Sequence, residues 1–398
     1  MSAPRRLLIL SFYHPPDLAA CSFRVAALIR ALRAASPDLR IDVITTLPNR
    51  YSTFVAGAPE HEEADGITVT RIEVPTHRSG MVDQAKSFLT FARRARSIVR
   101  KQRYDLVFAT SSRLMTAALA ARIAGEQRAP LYLDLRDIFV DTIADVLGGA
   151  RGSVLKPVVS VLERWTVGRA DRVNLVSRGF ASWFGPRYPR ASFSWFTNGV
   201  DPEFVPPPRP PRRADPGAPV RVLYAGNIGE GQGLHRILPE LSERLRGRAT
   251  FRVIGDGGRR EQLRQALDGS KDVELLPPMS RESLRAEYDE ADVLFLHLND
   301  YHAFRKVLPS KVFEYAASGK PVWAGVAGHS AEFIAAEVVN SGVFTPCDVD
   351  GAVAAFERLD LCDRPRSGFI ERFSRESIMR EMARDVLSLL PATSRAGQ

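Results

Sequence analysis

Cysteine is scarce in this chain. Cys21, Cys347 and Cys362 are the only three in 398 residues, far apart and without a CxxC spacing. That gives no disulfide framework and no zinc knuckle, and it suits a reducing cytosol. Long apolar runs are missing too: no stretch approaches the roughly 20 apolar residues that cross a bilayer as a helix. Leu18-Ala19-Ala20-Cys21 spells a lipoprotein cleavage box, but His14, Pro15, Pro16 and Asp17 interrupt the apolar stretch that starts at Leu7. A signal peptide needs about 7 to 15 apolar residues, so the box is expected to be accidental. Glycine is absent where a dinucleotide site would need it. The first strand runs into LSFYHPPDLAACSFR with no GxGxxG, which argues against bound NAD. Zinc-finger, RNP and helix-turn-helix signatures are missing as well, so no nucleic-acid partner is expected.

The residues that are present, 45% hydrophobic and 25% charged, describe a globular chain longer than one core usually holds, and two domains are expected. Charge is unevenly spread. Residues 1–200 carry 28 Lys or Arg against 17 Asp or Glu, a balance of +11 within a total of +9. The basic half calls for an anionic partner or surface.

Apolar runs alternate with helical periodicity, which predicts an α/β fold of parallel sheets wrapped by helices. Strand patterns over 6–12, 41–45, 68–74, 106–110, 131–134 and 172–176, with helices over 22–34, 84–103, 114–124 and 154–168, make a first doubly wound domain over 1–200. The prolines of PEFVPPPRPPRRADPGAPV continue neither kind of ladder, which predicts a linker over 201–219. The alternation restarts with strands over 221–225, 250–254, 273–276, 293–298 and 321–325, giving a second domain over 220–372, before a last helix within 373–398. Such sheets bind ligands beyond the carboxyl ends of their strands, so a cleft between two facing domains is the expected site.

Two stretches carry candidate chemistry. YAGNIGEGQGL follows the first strand of the second domain and holds Gly226, Gly229, Gly231 and Gly233. Backbone amides in such a turn can reach phosphate oxygens, although glycines there are often only geometric. KVLPSKVFEYAASGKPV, residues 306–322, predicts a short helix with Pro309 in its first turn and Gly319 and Pro321 at its end. Its free amides and Lys311 would form an electropositive tip for a diphosphate. Glu314, one turn on, could accept both vicinal hydroxyls of a ribose; the alternative is an exposed acid near a helix start, worth only about 0.3 to 1 kcal/mol. The DVD at Asp348 to Asp350 imitates a metal-binding motif, but it precedes a helical segment, where aspartate commonly serves as N-cap. His297 and His302 lack a third ligand, and no metal is expected.

With these motifs in order, the chain resembles the family 4 glycosyltransferases of GT-B fold, in the branch that adds amino sugars or related hexoses during bacterial polysaccharide synthesis. YHPPDLAACSFRVAALIRAL, VITTLPN, LDLRD, NGVD, YAGNIGEGQGL, IGDGGRREQL, ADVLFL and LPSKVFEYAASGKPV follow in the family's sequence over nearly the whole length. The resemblance implies two Rossmann-like domains, with a terminal helix crossing back to the first. It implies a nucleotide sugar, expected to be UDP-linked, held by the second domain, and a lipid-linked or oligosaccharide acceptor held by the first, with retention of configuration and no cofactor. Donor contacts are implied for Gly226, Asn227, Gly229, Asp256, Gly257, Lys306, Pro309, Ser310, Lys311 and Glu314, and acceptor contacts for His14, Arg24, Arg136 and Asp137. No nucleophile and base pair of the kind covalent catalysis requires is evident; the route that the resemblance implies is front-face displacement. The leaving diphosphate then helps take the acceptor proton and Lys311 stabilises its charge. Asp137 would orient or deprotonate the acceptor, or serve only as a helix cap or salt-bridge partner. Lys306 stands where many relatives carry a second glutamate, and Gln232 where much of the family has lysine; both leave the donor sugar open.

The basic charge fits the same picture. QAKSFLTFARRARSIVRKQR, over 84–103, sets Phe88, Leu89, Phe91 and Ile98 amid Arg93, Arg94, Arg96, Arg100 and Lys101. A basic amphipathic helix can lie on an anionic leaflet, here the inner face of the plasma membrane. Equally, the apolar stripe can face its own sheet, and 154–165 offers the same choice. Two other readings stay open: a GT-B sugar-nucleotide epimerase that needs no acceptor, and a non-catalytic subunit of a transferase complex.

Overall fold

A computed structural model describes residues 4–49, 57–75, 81–111, 114–140, 149–207 and 210–391. By its internal contacts the chain forms two α/β units. The first runs to Thr197 and resumes at Glu376; the second runs from Asn198 to Arg375.

Unit 1 contains β1 (Arg6–Leu10), α1 (Ala20–Ala35), β2 (Arg40–Thr46), β3 (His61–Ala64), β4 (Ile67–Ile72), α2 (Met81–Val99), β5 (Leu106–Ser111), α3 (Leu114–Gln127), β6 (Leu131–Leu135), α4 (Gly149–Val167), β7 (Arg172–Leu175), α5 (Ala181–Arg187) and β8 (Phe193–Ser194). Its sheet order is β3-β4-β2-β1-β5-β6-β7-β8. All pairings are parallel except β3 with β4, a hairpin turned by Asp65 and Gly66 at φ 50° and 73°, as a two-residue turn with both φ positive requires. Cys21, from the lipoprotein-like box, lies buried in the first turn of α1.

Unit 2 contains β9 (Val220–Ala225), α6 (Leu234–Arg244), β10 (Ala249–Ile254), α7 (Arg260–Ala266), β11 (Val273–Leu276), α8 (Arg281–Glu290), β12 (Val293–His297), α9 (Lys311–Ala317), β13 (Val322–Gly325), α10 (His329–Glu337), β14 (Ser341–Phe344), α11 (Val349–Glu357) and α12 (Ser367–Arg372). The order β11-β10-β9-β12-β13-β14 is doubly wound, and the winding reverses between β9 and β12, where ligands of such sheets bind. The last helix, α13 (Arg375–Leu387), contributes Met379, Met382, Ala383 and Val386 to the core under Leu7, Ile9, Val43 and Phe108 of unit 1. Asp385 of α13 accepts hydrogen bonds from Tyr132 (2.9 Å), Arg172 (2.6 Å) and Ser194 (2.5 Å).

The described residues of the stretch read as a linker pack against unit 2. Asp201 and Phe204 are buried, Asp201 accepts from Arg281 at 2.6 Å and from Arg375, and Arg213 bridges to Cys362. Proline bars this stretch from a ladder but leaves its side chains able to pack.

Candidate functional site

At the reversal point of unit 2, β9 runs into the loop Gly226 to Gly233. Its contact with the loop after β10 rests on two glycines of that second loop. A Cβ on Gly255, at φ 149°, would sit 1.8 Å from the Gly226 carbonyl oxygen, and one on Gly257, at φ 156°, would sit 2.6 Å from that of Ile228. The loops after β9 and β10 thus approach closely only because both positions are bare. The β9 loop is tied down on all sides. Tyr224 donates to the Asn227 carbonyl at 2.6 Å and the Asn227 amide to Gln232 at 2.7 Å. Asn299 donates to the Glu230 carbonyl at 2.9 Å, while Tyr301 and Arg259 hold the Glu230 carboxylate at 2.6 and 2.5 Å. His297 accepts the Cys347 N–H on Nε2 at 3.0 Å, so its Nδ1 donates to the Gln232 carbonyl at 2.7 Å. Burial holds this imidazole neutral, with its pKa down to about 4. Among the described residues nothing accepts from the backbone amides of Gly229, Glu230 and Gly231. A stiff loop with unspent amides suits an anion. Asp256 is half-buried beside it and accepts from the Gly257 amide at 2.8 Å.

Helix α9 is fastened to the same place, since the Tyr315 hydroxyl accepts the Ala225 N–H at 3.0 Å, one residue before the loop. Its start differs from the expectation. Ser310 is the N-cap and Pro309 precedes the helix. The amides of Val312 and Phe313 are spent on the carbonyls of Pro309 and Ser310, each at 3.2 Å, so the expected bank of free amides is depleted. Lys311 is also differently engaged. Its ammonium donates to Glu314 Oε2 at 2.7 Å and to the Tyr288 hydroxyl at 3.0 Å, and that hydroxyl donates to the same Oε2 at 3.0 Å. The cation assigned to a diphosphate and the acid assigned to a ribose are thus partners of one another. Glu314 is only 9% exposed, yet its Oε1 accepts from none of the described residues. Burial and the adjacent Glu314 charge push the Tyr288 phenol well above its usual range, so it stays protonated and donates. Sequence reasoning missed Tyr288; it is the one buried residue of a polar helix, a signal that marks packing rather than chemistry. Lys306 is half-buried at the end of a 3-10 turn, His302–Lys306.

In unit 1, His14 lies buried in the loop after β1. Its Nδ1 has no hydrogen-bond partner among the described residues, and burial with the nearby Arg71 lowers its pKa to about 4. Arg24 is corrected from acceptor contact to core strut. It is 1% exposed and grips Asp134 at 2.9 and 3.1 Å and the carbonyls of Thr197 and Phe196 at 2.6 and 2.7 Å, which spends its guanidinium inside the unit. Arg136 and Asp137 follow β6, both half-buried. Burial pushes Asp137 up to about 6 against the pull of Arg136.

Helix α2 turns Phe88, Phe91, Ala95 and Val99 inward and leaves Leu89 exposed, while Arg96 pairs with Glu126 at 2.5 Å. On α4, Val158, Val161 and Trp165 are exposed, with the Arg169 guanidinium 4.7 Å from the Trp165 ring centre. Asp348 caps α11, accepting from the Gly351 amide at 3.0 Å, and Asp350 pairs with Arg244 at 2.7 Å.

Two family models match the chain: a glycosyl transferase 4-like domain over residues 20–192 and the glycosyl transferases group 1 over residues 219–360. The putative colanic acid biosynthesis glycosyl transferase WcaI of Escherichia coli is 34% identical over 101 residues, 25% of this chain and 24% of that protein. The match thus spans about a quarter of that relative. Among solved structures, Anabaena HepE in complex with UDP and glucose superimposes with a TM-score of 0.67 at 16% identity, covering 96% of this chain and 100% of that one. Sucrose-phosphate synthase from Thermosynechococcus elongatus does so at 0.67 and 14%, covering 96% and 94%. WaaG, a glycosyltransferase involved in lipopolysaccharide biosynthesis, gives 0.63 and 14%, covering 96% and 97%. At such identities the likeness is one of fold alone.

Proposed function

Because the chain belongs to the family 4 glycosyltransferases of GT-B fold, we propose that it transfers a sugar, with retention, from a nucleotide-sugar donor to a lipid-linked or oligosaccharide acceptor in bacterial cell-surface polysaccharide synthesis. The observation that carries this reading is Glu314, with one oxygen anchored and one open, on a helix fastened through Tyr315 to the amide-bearing loop. A UDP-linked donor is favoured by the HepE complexes with UDP and with UDP-glucose, and a cell-surface product by the names of WcaI and WaaG.

In this reading the open Glu314 oxygen accepts ribose hydroxyls, and the Gly229 to Gly231 amides stabilise charge on the departing diphosphate, where preorganised donors help most. Asp256 and Gly257 line the nucleobase side, with Asn227 and Ser310 near the phosphates. Asp137, ionising near pH 6, orients the acceptor hydroxyl or takes its proton, and neutral His14 hydrogen-bonds the acceptor. Lys311 acts through Glu314 rather than as a free cation. The reaction is read as metal-independent, since Asp348 is spent as a cap and Asp350 on Arg244. The exposed apolar stripe of α4, edged by Lys156, Arg164 and Arg169, supports peripheral contact with an anionic membrane beside the basic helix α2.

Thermal shift with a panel of UDP-, GDP- and TDP-sugars tests the donor assignment, because a ligand that binds only the folded state raises its stability. At least one should stabilise the wild type and lose its effect in Glu314→Ala. A wild type indifferent to the whole panel, or a Glu314→Ala variant that responds unchanged, would overturn the reading. Donor turnover that needs no acceptor would instead mark an epimerase.

A further inference from the structure

Glu314 has little freedom. Its neighbours Val312, Phe313 and Tyr315 are buried to 1% or less, so the carboxylate is aimed by whatever holds it. Two donors converge on the same oxygen. Lys311 comes from the same helix on a flexible stem whose side chain is 25% exposed. Tyr288 comes from α8, and its ring is wedged between Phe204, 5.4 Å away, and Tyr315, 5.5 Å away and edge-on. Tyr288 is the rigid member of the pair. Even the Lys311 ammonium leans on it, 3.0 Å from its hydroxyl and 5.7 Å from its ring centre. A hydrogen bond from a fixed ring sets a direction that a lysine stem, with its freely rotating methylenes, does not.

We propose that Tyr288 is a positioning residue for ribose recognition: by fixing Glu314 Oε2 from inside unit 2, it holds Oε1 ready for a ribose hydroxyl, without touching the nucleotide. The inference rests on the reading that Glu314 holds the ribose. It adds that selectivity for a ribonucleotide over its deoxy counterpart is set from α8, a helix with no motif. A purely structural Tyr288 would affect stability and leave that selectivity alone.

Calorimetric titration of the full chain distinguishes the two. The probes are UDP and GDP, each beside its 2′-deoxy and 3′-deoxy counterparts, against wild type, Tyr288→Phe, Lys311→Met and Glu314→Ala. The wild type should prefer the ribonucleotide, and Glu314→Ala should erase that preference. Tyr288→Phe keeps the ring and should cut the preference about tenfold, the scale of one hydrogen bond to a charged group, while affinity for the deoxy form stays put. Lys311→Met should cut it less, because Tyr288 still holds Oε2. If Tyr288→Phe discriminates like wild type while Glu314→Ala does not, the positioning role is wrong and the ribose assignment survives. If Lys311→Met behaves like Glu314→Ala, the lysine does the aiming and the proposal fails, a result that does not depend on Tyr288→Phe folding. Should Glu314→Ala keep the wild-type preference, the ribose reading itself falls and takes the proposal with it.

Discussion

Two cation–carboxylate pairs, one in each unit, differ in how far they are completed. Arg24 and Asp134 meet at 2.9 Å with both side chains 1% exposed. Thr110 and Asn174 fill the remaining lone pairs of Asp134 at 3.0 and 2.7 Å. Lys311 and Glu314 meet at 2.7 Å, but their carboxylate carries both its donors on one oxygen. The ionic contact is alike in the two; what differs is the inventory of unfilled acceptors. A closed pair can only build, whereas an open one can still take a ligand.

The sharpest way to break the comparison is Arg24→Met. It leaves Asp134 charged in the core and should cost about 3 to 5 kcal/mol in urea unfolding; a loss below about 1 kcal/mol would mean the pair is not closed. Next comes Glu314→Ala, expected to raise the nucleotide Kd by roughly 10- to 100-fold, the range for a lost hydrogen bond to a charged group. Its urea midpoint should stay near that of wild type, and a collapse of stability there would erase the distinction.

Asp137→Asn sharpens the picture through pH. The folded-state pKa of Asp137, about 6, lies above the ordinary carboxylate value, so the native state holds this proton longer than the unfolded chain does. Stability should fall as pH rises between about 4 and 6, and that component should vanish in the variant. The rising limb of kcat/KM near pH 6 should vanish with it if Asp137 acts as base. The smallest effect concerns α4. Val161→Asp should weaken co-sedimentation with anionic vesicles a few-fold, an apolar contact having been replaced by a repelled charge, and leave solution nucleotide affinity unchanged.

How much of this was legible beforehand depended on how local the cause was. Strands such as Val293–His297 and helices such as Leu114–Gln127 stand close to where their patterns put them, because burial of an apolar run is written into the run itself. The β3–β4 hairpin was missed although Asp65-Gly66 is a strong local turn signal; β3 is exposed throughout and offers no apolar alternation. β14, Ser341–Phe344, was missed because Ser341 and Gly342 take half of its four positions and leave no apolar pattern to read. Arg24 was given to the acceptor by the family resemblance, and nothing local marked it as a core residue, since its partner lies 110 positions away. Lys311 and Glu314 were both singled out, but as separate tools for separate parts of a ligand. Their mutual bond depends on side-chain direction, and the third member, Tyr288, arrives from another helix.

The terminal helix sets the order in which a growing chain can be finished. Met379, Met382 and Val386 belong to the same core as Leu7 and Ile9, so on the ribosome the first unit must wait, its sheet uncapped, while all of the second is synthesised. A stop codon shortly before residue 376 would therefore leave the later-made half able to consolidate and the earlier-made half to aggregate.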